Sequence, residues 1–196
     1  MSLLQDALAE FARLQSLAMG SIDPEPAAMS LSTADAAGRV HSRIVLLKSV
    51  DESGFRFFTN YESAKGKELA EHAQVALCLH WKSIDDGIQV RIEGPVARVS
   101  AGVSDAYFAS RPRGSQVGAW ASLQSQTLPS REDFEARIAH VEERYRDGEV
   151  PRPPHWGGYC VSPDVIEFWY GARFRLHERM RYECAAGEWS KRMLYP

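Results

Sequence analysis

Residues 173–181 read R-F-R-L-H-E-R-M-R, and an alternation of that kind sorts into two clean faces only on an extended strand. On such a strand Arg173, Arg175, His177, Arg179 and Arg181 share one face, while Phe174, Leu176 and Met180 turn toward a core. Same-face neighbours lie roughly 6.6 Å apart, so the guanidiniums repel unless an anion or screening water sits among them. The rest of the chain supplies no basic background, since the formal net charge is -3 and the pI about 6.1. A solvated outer face is the ordinary reading of a basic strand, and an anion-binding strip is the alternative.

At 196 residues, 44% of them hydrophobic and 25% charged, the chain has room for one domain with a proper core. No apolar run approaches membrane-spanning length, and the first residues lack the basic-then-apolar layout of a signal peptide. A cytoplasmic protein with no membrane partner is therefore expected. Cys78, Cys160 and Cys184 are odd in number, widely spaced and free of any C-x-x-C pair, so they read as reduced thiols. The six histidines are scattered and support no metal site, and the acidic pI argues against a nucleic-acid partner.

Leu4, Leu8, Phe11 and Leu14 predict an amphipathic helix over 3–17. Strands are predicted at Met29–Thr33, Arg39–Val50, Phe55–Thr59, Val75–Trp81 and Ile88–Val99. Two helices follow, Ser104–Ser110 and Ser115–Leu123. A third starts at Ser130, where S-R-E-D forms a capping box ahead of the stripe Phe134, Ile138, Val141 and Tyr145. After an extended Pro151–Pro154 linker come strands Gly157–Val161, Val165–Tyr170, Arg173–Tyr182 and Glu188–Leu194. This succession implies an antiparallel barrel with appended helices, a mainly β (α+β) fold.

Chemistry concentrates in three segments. R-I-V-L-L-K (Arg43–Lys48), followed by T-N-Y-E-S-A-K (Thr59–Lys65), places hydroxyls and an ammonium where a strand feeds a helix, which suits a phosphate. Ser63 equally suits a plain helix cap. Tyr107–Ser125 offers Tyr107, Arg111, Ser115, Gln116, Gln124 and Ser125 on a framework of aromatic and small residues. There, Arg111-Pro112 also reads simply as a helix stop. The third segment is I-E-F-W-Y-G-A-R-F-R-L-H-E-R, which sets Trp169 beside the arginine stripe. No H-E-x-x-H, G-x-S-x-G, P-loop or G-x-G-x-x-G is present.

In this order the three segments, with F-T-N, S-R-P-R-G-S-Q-V-G-A-W, Q-S and W-G-G, resemble the pyridoxamine 5′-phosphate oxidase family. The resemblance spans about Arg43 to Tyr182. It implies an FMN-binding split barrel over 1–196, with 1–26 an N-terminal helix and turn and 151–196 the C-terminal dimerisation and substrate-binding strands. It also implies a homodimer with FMN at the interface. Flavin contacts would come from Arg43, Ile44, Val45, Leu46, Lys48, Phe58, Thr59, Lys65, Gln89, Gln124, Ser125, Trp169 and Arg179. A phosphorylated pyridoxine or pyridoxamine would be held by Lys48, Tyr107, Arg111, Ser115, Arg175 and His177, the last two also being the catalytic candidates. The implied reaction gives pyridoxal 5′-phosphate, with O2 reduced to H2O2.

The chain departs from the family pattern at Ala64, in the longer Lys82–Ile88 stretch, at Ile88 and at Met193, and it lacks a recognisable basic N-terminal arm. Two rival readings remain ahead of a third, distant one in which the arginine stripe binds nucleic acid. One is a flavin-dependent oxidase of a phenazine-type substrate, and the other is a non-catalytic flavin or pyridoxal phosphate binder.

Overall fold

The computed structural model describes residues 2–196. Helix α1 (Leu3–Met19) opens on a reciprocal capping box, in which the Ser2 hydroxyl accepts from the Gln5 amide and the Gln5 side chain accepts from the Ser2 amide. Its stripe of Ala7, Phe11, Leu14 and Ala18 is buried against the sheet, where Phe11 meets Phe55 edge-on with ring centroids 5.0 Å apart.

The strands are β1 (Ala28–Ala34), β2 (Val40–Leu46), β3 (Ser49–Asp51), β4 (Gly54–Asn60), β5 (Gln74–Trp81), β6 (Ile88–Arg98), β7 (Trp156–Val161), β8 (Val165–Tyr170), β9 (Glu178–Ala185) and β10 (Glu188–Leu194). All pair antiparallel along the path β10-β9-β8-β6-β5-β1-β2, while β7 leaves β6 to reach β4 and β3. Strand β6 makes this division. One edge of it pairs with β5; along the other, Ile88–Glu93 pair with β8 and Val96–Arg98 with β7. The sheet splits there and curls around Leu31, Phe57, Leu79, Val90, Ile92 and Phe168, all essentially inaccessible. The expected antiparallel, mainly β fold with appended helices is the one observed.

Helices α2 (Ala64–Glu71), α3 (Ala101–Ala109), α4 (Arg113–Ala121) and α5 (Arg131–Arg144) complete the chain. Phe108, Val117, Ala121, Val141 and Trp156 form a second, smaller core beneath α3, α4 and α5. Ser63, Ser100 and Ser130 cap their helices, each hydroxyl accepting an amide from the first turn. The cap at Ser100 was not foreseen, and at Ser130 the expected reciprocal box is replaced by a bond from the Ser130 hydroxyl to the Asp133 carboxylate.

Two predicted strands are corrected. Arg39–Val50 is not continuous: β2 pairs with β1 as far as Leu46, and the chain then crosses to pair with β4 as β3. Lys48 sits at that crossing. Arg173–Tyr182 is likewise not one strand. Tyr170 lies opposite Glu178, so residues 171–177 reverse the chain between β8 and β9 and cannot extend either. Arg173–Arg175 form a single 3-10 turn in which Phe174 and Arg175 are left-handed, at φ 57° and 63°. Phe174 and Leu176 are 91% and 69% exposed instead of turned toward a core. Of the stripe, only Arg179 and Arg181 share a strand face.

The start of α2 is held tightly against the end of β4. A Cβ on Gly66 would lie 2.2 Å from the Tyr61 carbonyl oxygen and 2.8 Å from that of Asn60. Helix propensity favours Ala over Gly by about 1 kcal/mol, whereas overpacking against fixed backbone costs about 1–3 kcal/mol. Gly66→Ala is therefore expected to lower stability by about 1 kcal/mol or more in urea unfolding, against the propensity trend.

Candidate functional site

A cavity of about 800 Å³ lies between β2, the end of β4 and helices α3 and α4. Strand β2 contributes Arg43, Ile44, Val45 and Leu46, and the crossing adds Lys48; β4 contributes Phe58, Thr59 and Asn60, and α2 contributes Lys65. From the helical side come Tyr107, Arg111, Ser115 and Gln124, and β7 adds Trp156. Most predicted site residues are thus brought together.

Two cationic groups stand out. Lys65 lies in the first turn of α2, where its ammonium donates to Thr59 Oγ1 and Gln124 Oε1, both at 3.1 Å. Burial pushes its pKa down and the Arg43 charge pushes the same way, against the weaker opposing pull of Glu68. Arg111 lies over the Trp156 ring at 4.7 Å, and its Nη1 is buried with no hydrogen-bond partner among the described residues. Burial pushes its pKa down too. A buried guanidinium nitrogen without an acceptor is costly, and an oxyanion is the group that would satisfy it.

Between them runs an aromatic shelf. Phe58 stacks on Tyr107 with centroids 3.9 Å apart and an interplanar angle of 21°, and Trp156 lies within 7° of the Tyr107 plane. The shelf needs a glycine beneath it, because a Cβ on Gly158 would meet the Phe58 ring at 2.7 Å.

Arg43 is the cavity cation that has a carboxylate. Its Nη2 donates to Glu68 Oε2 at 2.9 Å, and His41 Nδ1 lies 2.9 Å from Glu68 Oε1. Burial pushes the Glu68 pKa up, but hydrogen bonds from Thr33 and Arg43, with the charges of Arg43 and His41, hold it below the ordinary value.

The other predicted residues lie elsewhere. Gln89, Trp169 and Arg179 stand in register across β6, β8 and β9. The His177 ring packs 4.3 Å from Trp169, and its Nδ1 accepts the Ala172 amide at 3.1 Å. Arg175 is exposed in the 3-10 turn. None of these five lines the cavity. Ser125, left-handed at φ 72°, faces a neighbouring groove beside α5. The anion among the arginines is internal: Glu167, 2% exposed, accepts from Arg179 at 2.8 Å and from Arg181 at 3.4 Å. Ala64 is exposed and outside the cavity, Ile88 is fully buried in the core, and Met193 is 66% exposed.

Residues 18–145 match the family model for pyridoxamine 5′-phosphate oxidase. This chain belongs to the pyridoxamine 5′-phosphate oxidase family. Residues 156–196 match the pyridoxine 5′-phosphate oxidase C-terminal dimerisation region. Relatives named pyridoxine/pyridoxamine 5′-phosphate oxidase include one from Xanthomonas euvesicatoria pv. vesicatoria, 59% identical over 99% of this chain and 98% of its own. Another, from Myxococcus xanthus, is 51% identical over 97% and 92%. Among solved structures, PhzG from Burkholderia lata, in complex with tetrahydrophenazine-1-carboxylic acid, superposes with a TM-score of 0.90 at 31% identity, covering 96% of this chain and 92% of its own. A pyridoxamine 5′-phosphate oxidase-related, FMN-binding protein from Nostoc punctiforme superposes at 0.73, with 16% identity over 100% and 98%, which shows the shared fold. Among the described residues no helix is long and apolar enough to cross a membrane.

Sequence reasoning missed Trp156 as a wall of the cavity and Glu68 with Thr33 behind Arg43. The helical spacing of Lys65 and Glu68, three residues apart on α2, was the available signal. A lowered carboxylate pKa contributes stability that is present above the unfolded value, about 4.5, and lost as pH falls through the folded one. The stability gap between the wild type and Glu68→Gln is therefore expected to be widest above about pH 5 and to narrow on acidification, as read by urea unfolding at several pH values.

Proposed function

We propose that this protein is an FMN-dependent oxidase converting pyridoxine 5′-phosphate or pyridoxamine 5′-phosphate into pyridoxal 5′-phosphate. Two separately built cation sites in one cavity, around Lys65 and around Arg111, support this reading, because cofactor and substrate each carry a phosphate. Both sites keep a partly buried positive charge without a carboxylate of their own, and an aromatic shelf suited to flat ring systems lies between them.

Lys65, Thr59 and the N-terminal turn of α2 would hold the cofactor phosphate, with Arg43 alongside. Arg111, Ser115 and Tyr107 would hold that of the substrate, and Lys48 stands at the crossing between β2 and β3. Bound FMN would supply a two-electron acceptor for the C4′ hydride, reoxidised by O2 to give H2O2. The alcohol would lose its hydroxyl proton to give the aldehyde directly, and the amine would give an imine that water hydrolyses with release of ammonia. Gln124 reaches the cavity to hydrogen-bond a ring edge. Gln89, Ser125, Trp169, Arg175, His177 and Arg179 would complete the site from a second copy of the chain, since the segment matching the dimerisation region carries four of them. Because His177 Nδ1 accepts the Ala172 amide, the neutral ring carries its proton on Nε2. His177 would then donate a hydrogen bond to the substrate, leaving Arg175 to orient it.

PhzG, at 31% identity, favours a second reading in which a ring carboxylate replaces the substrate phosphate. Competition by pyridoxal 5′-phosphate separates the two, since the phenazine-type reading expects none.

The deciding experiment mixes FMN-loaded protein anaerobically with pyridoxine 5′-phosphate or pyridoxamine 5′-phosphate and then admits air. The flavin absorbance should fall, recover in air and leave aldehyde product; a spectrum unmoved by both substrates would sink the oxidase reading. Arg111→Leu should raise the substrate KM about 10-fold to 100-fold, the loss of a charge-assisted pair, while FMN affinity stays unchanged.

A further inference from the structure

Arg43 reaches the cavity from β2, and every hydrogen bond its side chain makes within the protein leaves from the far end of the guanidinium. Nη2 donates to Glu68 Oε2 at 2.9 Å, while Nη1 donates to Thr33 Oγ1 and to the Leu31 carbonyl oxygen at 3.3 Å. Thr33 donates in turn to the same Glu68 oxygen. The two acceptors are therefore tied to each other as well as to the arginine. Thr33 is 2% exposed and Glu68 7%, so water does not compete for the clamp. His41 holds the second Glu68 oxygen and leaves it no freedom to turn.

With the end of the guanidinium occupied, its Nε–H and remaining Nη2–H stay without an acceptor among the described residues. Those two parallel donors form the fork that matches an oxyanion. We propose that Glu68, braced by Thr33, is a positioning residue that grips Arg43 by its end so that the side fork is presented to the phosphate of the cofactor. This rests on the reading of the cavity as an FMN site.

Charge alone argues for the opposite effect. Glu68 lies three residues beyond Lys65 on α2, and a carboxylate behind two phosphate-binding cations repels the phosphate. Were Glu68 a bystander, its removal would tighten phosphate binding. Arg43 offsets that repulsion at contact distance, and a free arginine must give up its rotamer freedom to bind, so orientation dominates.

The test compares Glu68→Ala with Glu68→Gln, both lacking the charge, of which only the glutamine keeps an acceptor oxygen for Arg43. Dissociation constants for FMN and for riboflavin are read from quenching of flavin fluorescence. Glu68→Ala should bind FMN about tenfold more weakly than Glu68→Gln, the loss of roughly one charged hydrogen bond, with riboflavin affinity the same in both. Equal FMN affinities in the two variants would overturn the proposal, as would an equal loss for riboflavin. If Glu68→Ala does not fold, Thr33→Val replaces it, and unchanged FMN affinity there is the overturning result. A wild-type protein that binds riboflavin as tightly as FMN would instead remove the phosphate reading of the cavity, and the proposal with it.

Discussion

Everything in this molecule is arranged around the divided edge of β6. Eleven residues long, it pairs with β8 over its first half and with β7 over its last three, so one strand belongs to two diverging sheets. Its inward residues Ile88, Val90 and Ile92 are completely buried and hold the two sheets to a common core. The chain also crosses from one sheet to the other between β2 and β3, and that crossing puts Lys48 at the cavity wall. The cavity is a consequence of the split: its walls come from strands on either side, and helices α3 and α4 roof it.

Within that frame the charged residues fall into two classes. Arg179 and Arg181 converge on Glu167, and Arg43 is matched by Glu68; both carboxylates are buried, and each satisfies more than one donor. Buried pairs of this kind contribute little net stability, because desolvation offsets the attraction, but they fix side-chain geometry. Lys65 and Arg111 belong to the other class. Burial depresses the pKa of both, and neither has a carboxylate in contact. Binding energy is available where charge has been left unmatched, and the fold supports that cost through the apolar packing of Phe108 and Trp156 against Arg111.

The sequence made the walls of the cavity legible and misread the backbone of residues 173–181. Arg43–Lys48, Thr59, Lys65, Tyr107, Arg111 and Ser115 were readable because each motif sits near a strand end or in the first or last turn of a helix, where local chemistry and position coincide. The alternation at 173–181 misled because period two is necessary for a strand but not sufficient. Gly171 allows no Cβ, one there meeting the Asp86 carbonyl oxygen at 2.0 Å, and Tyr170 must face Glu178, so the first half of the stripe is spent on reversing the chain. Those are long-range constraints that no local pattern carries. Glu68 and Glu167 were invisible for a similar reason: an acidic residue on a helix or strand reads as solvated until its partners are known.

Strand β2 joins these points. It is an edge strand, and one of its faces is open, with Val40 71% exposed and Ile44 65%, while Arg43 and Val45 on the other face are partly buried. Exposed apolar edges invite pairing and aggregation, and proteins ordinarily blunt them with charge, bulges or a covering element. Here the same strand supplies four residues to the cavity, whereas Gln89, Trp169 and Arg179 stand on the far strands and His177 in the reversal between β8 and β9. On the proposed reading of the cavity, an open edge and a C-terminal segment matching a dimerisation region have one economical explanation. A second copy that covered β2 would remove the apolar liability and, on the proposed reading, bring those four residues to the cavity in one step. On that arrangement, folding, assembly and catalysis would draw on the same contacts, and substitutions at Ile44 would weaken the dimer and the site together.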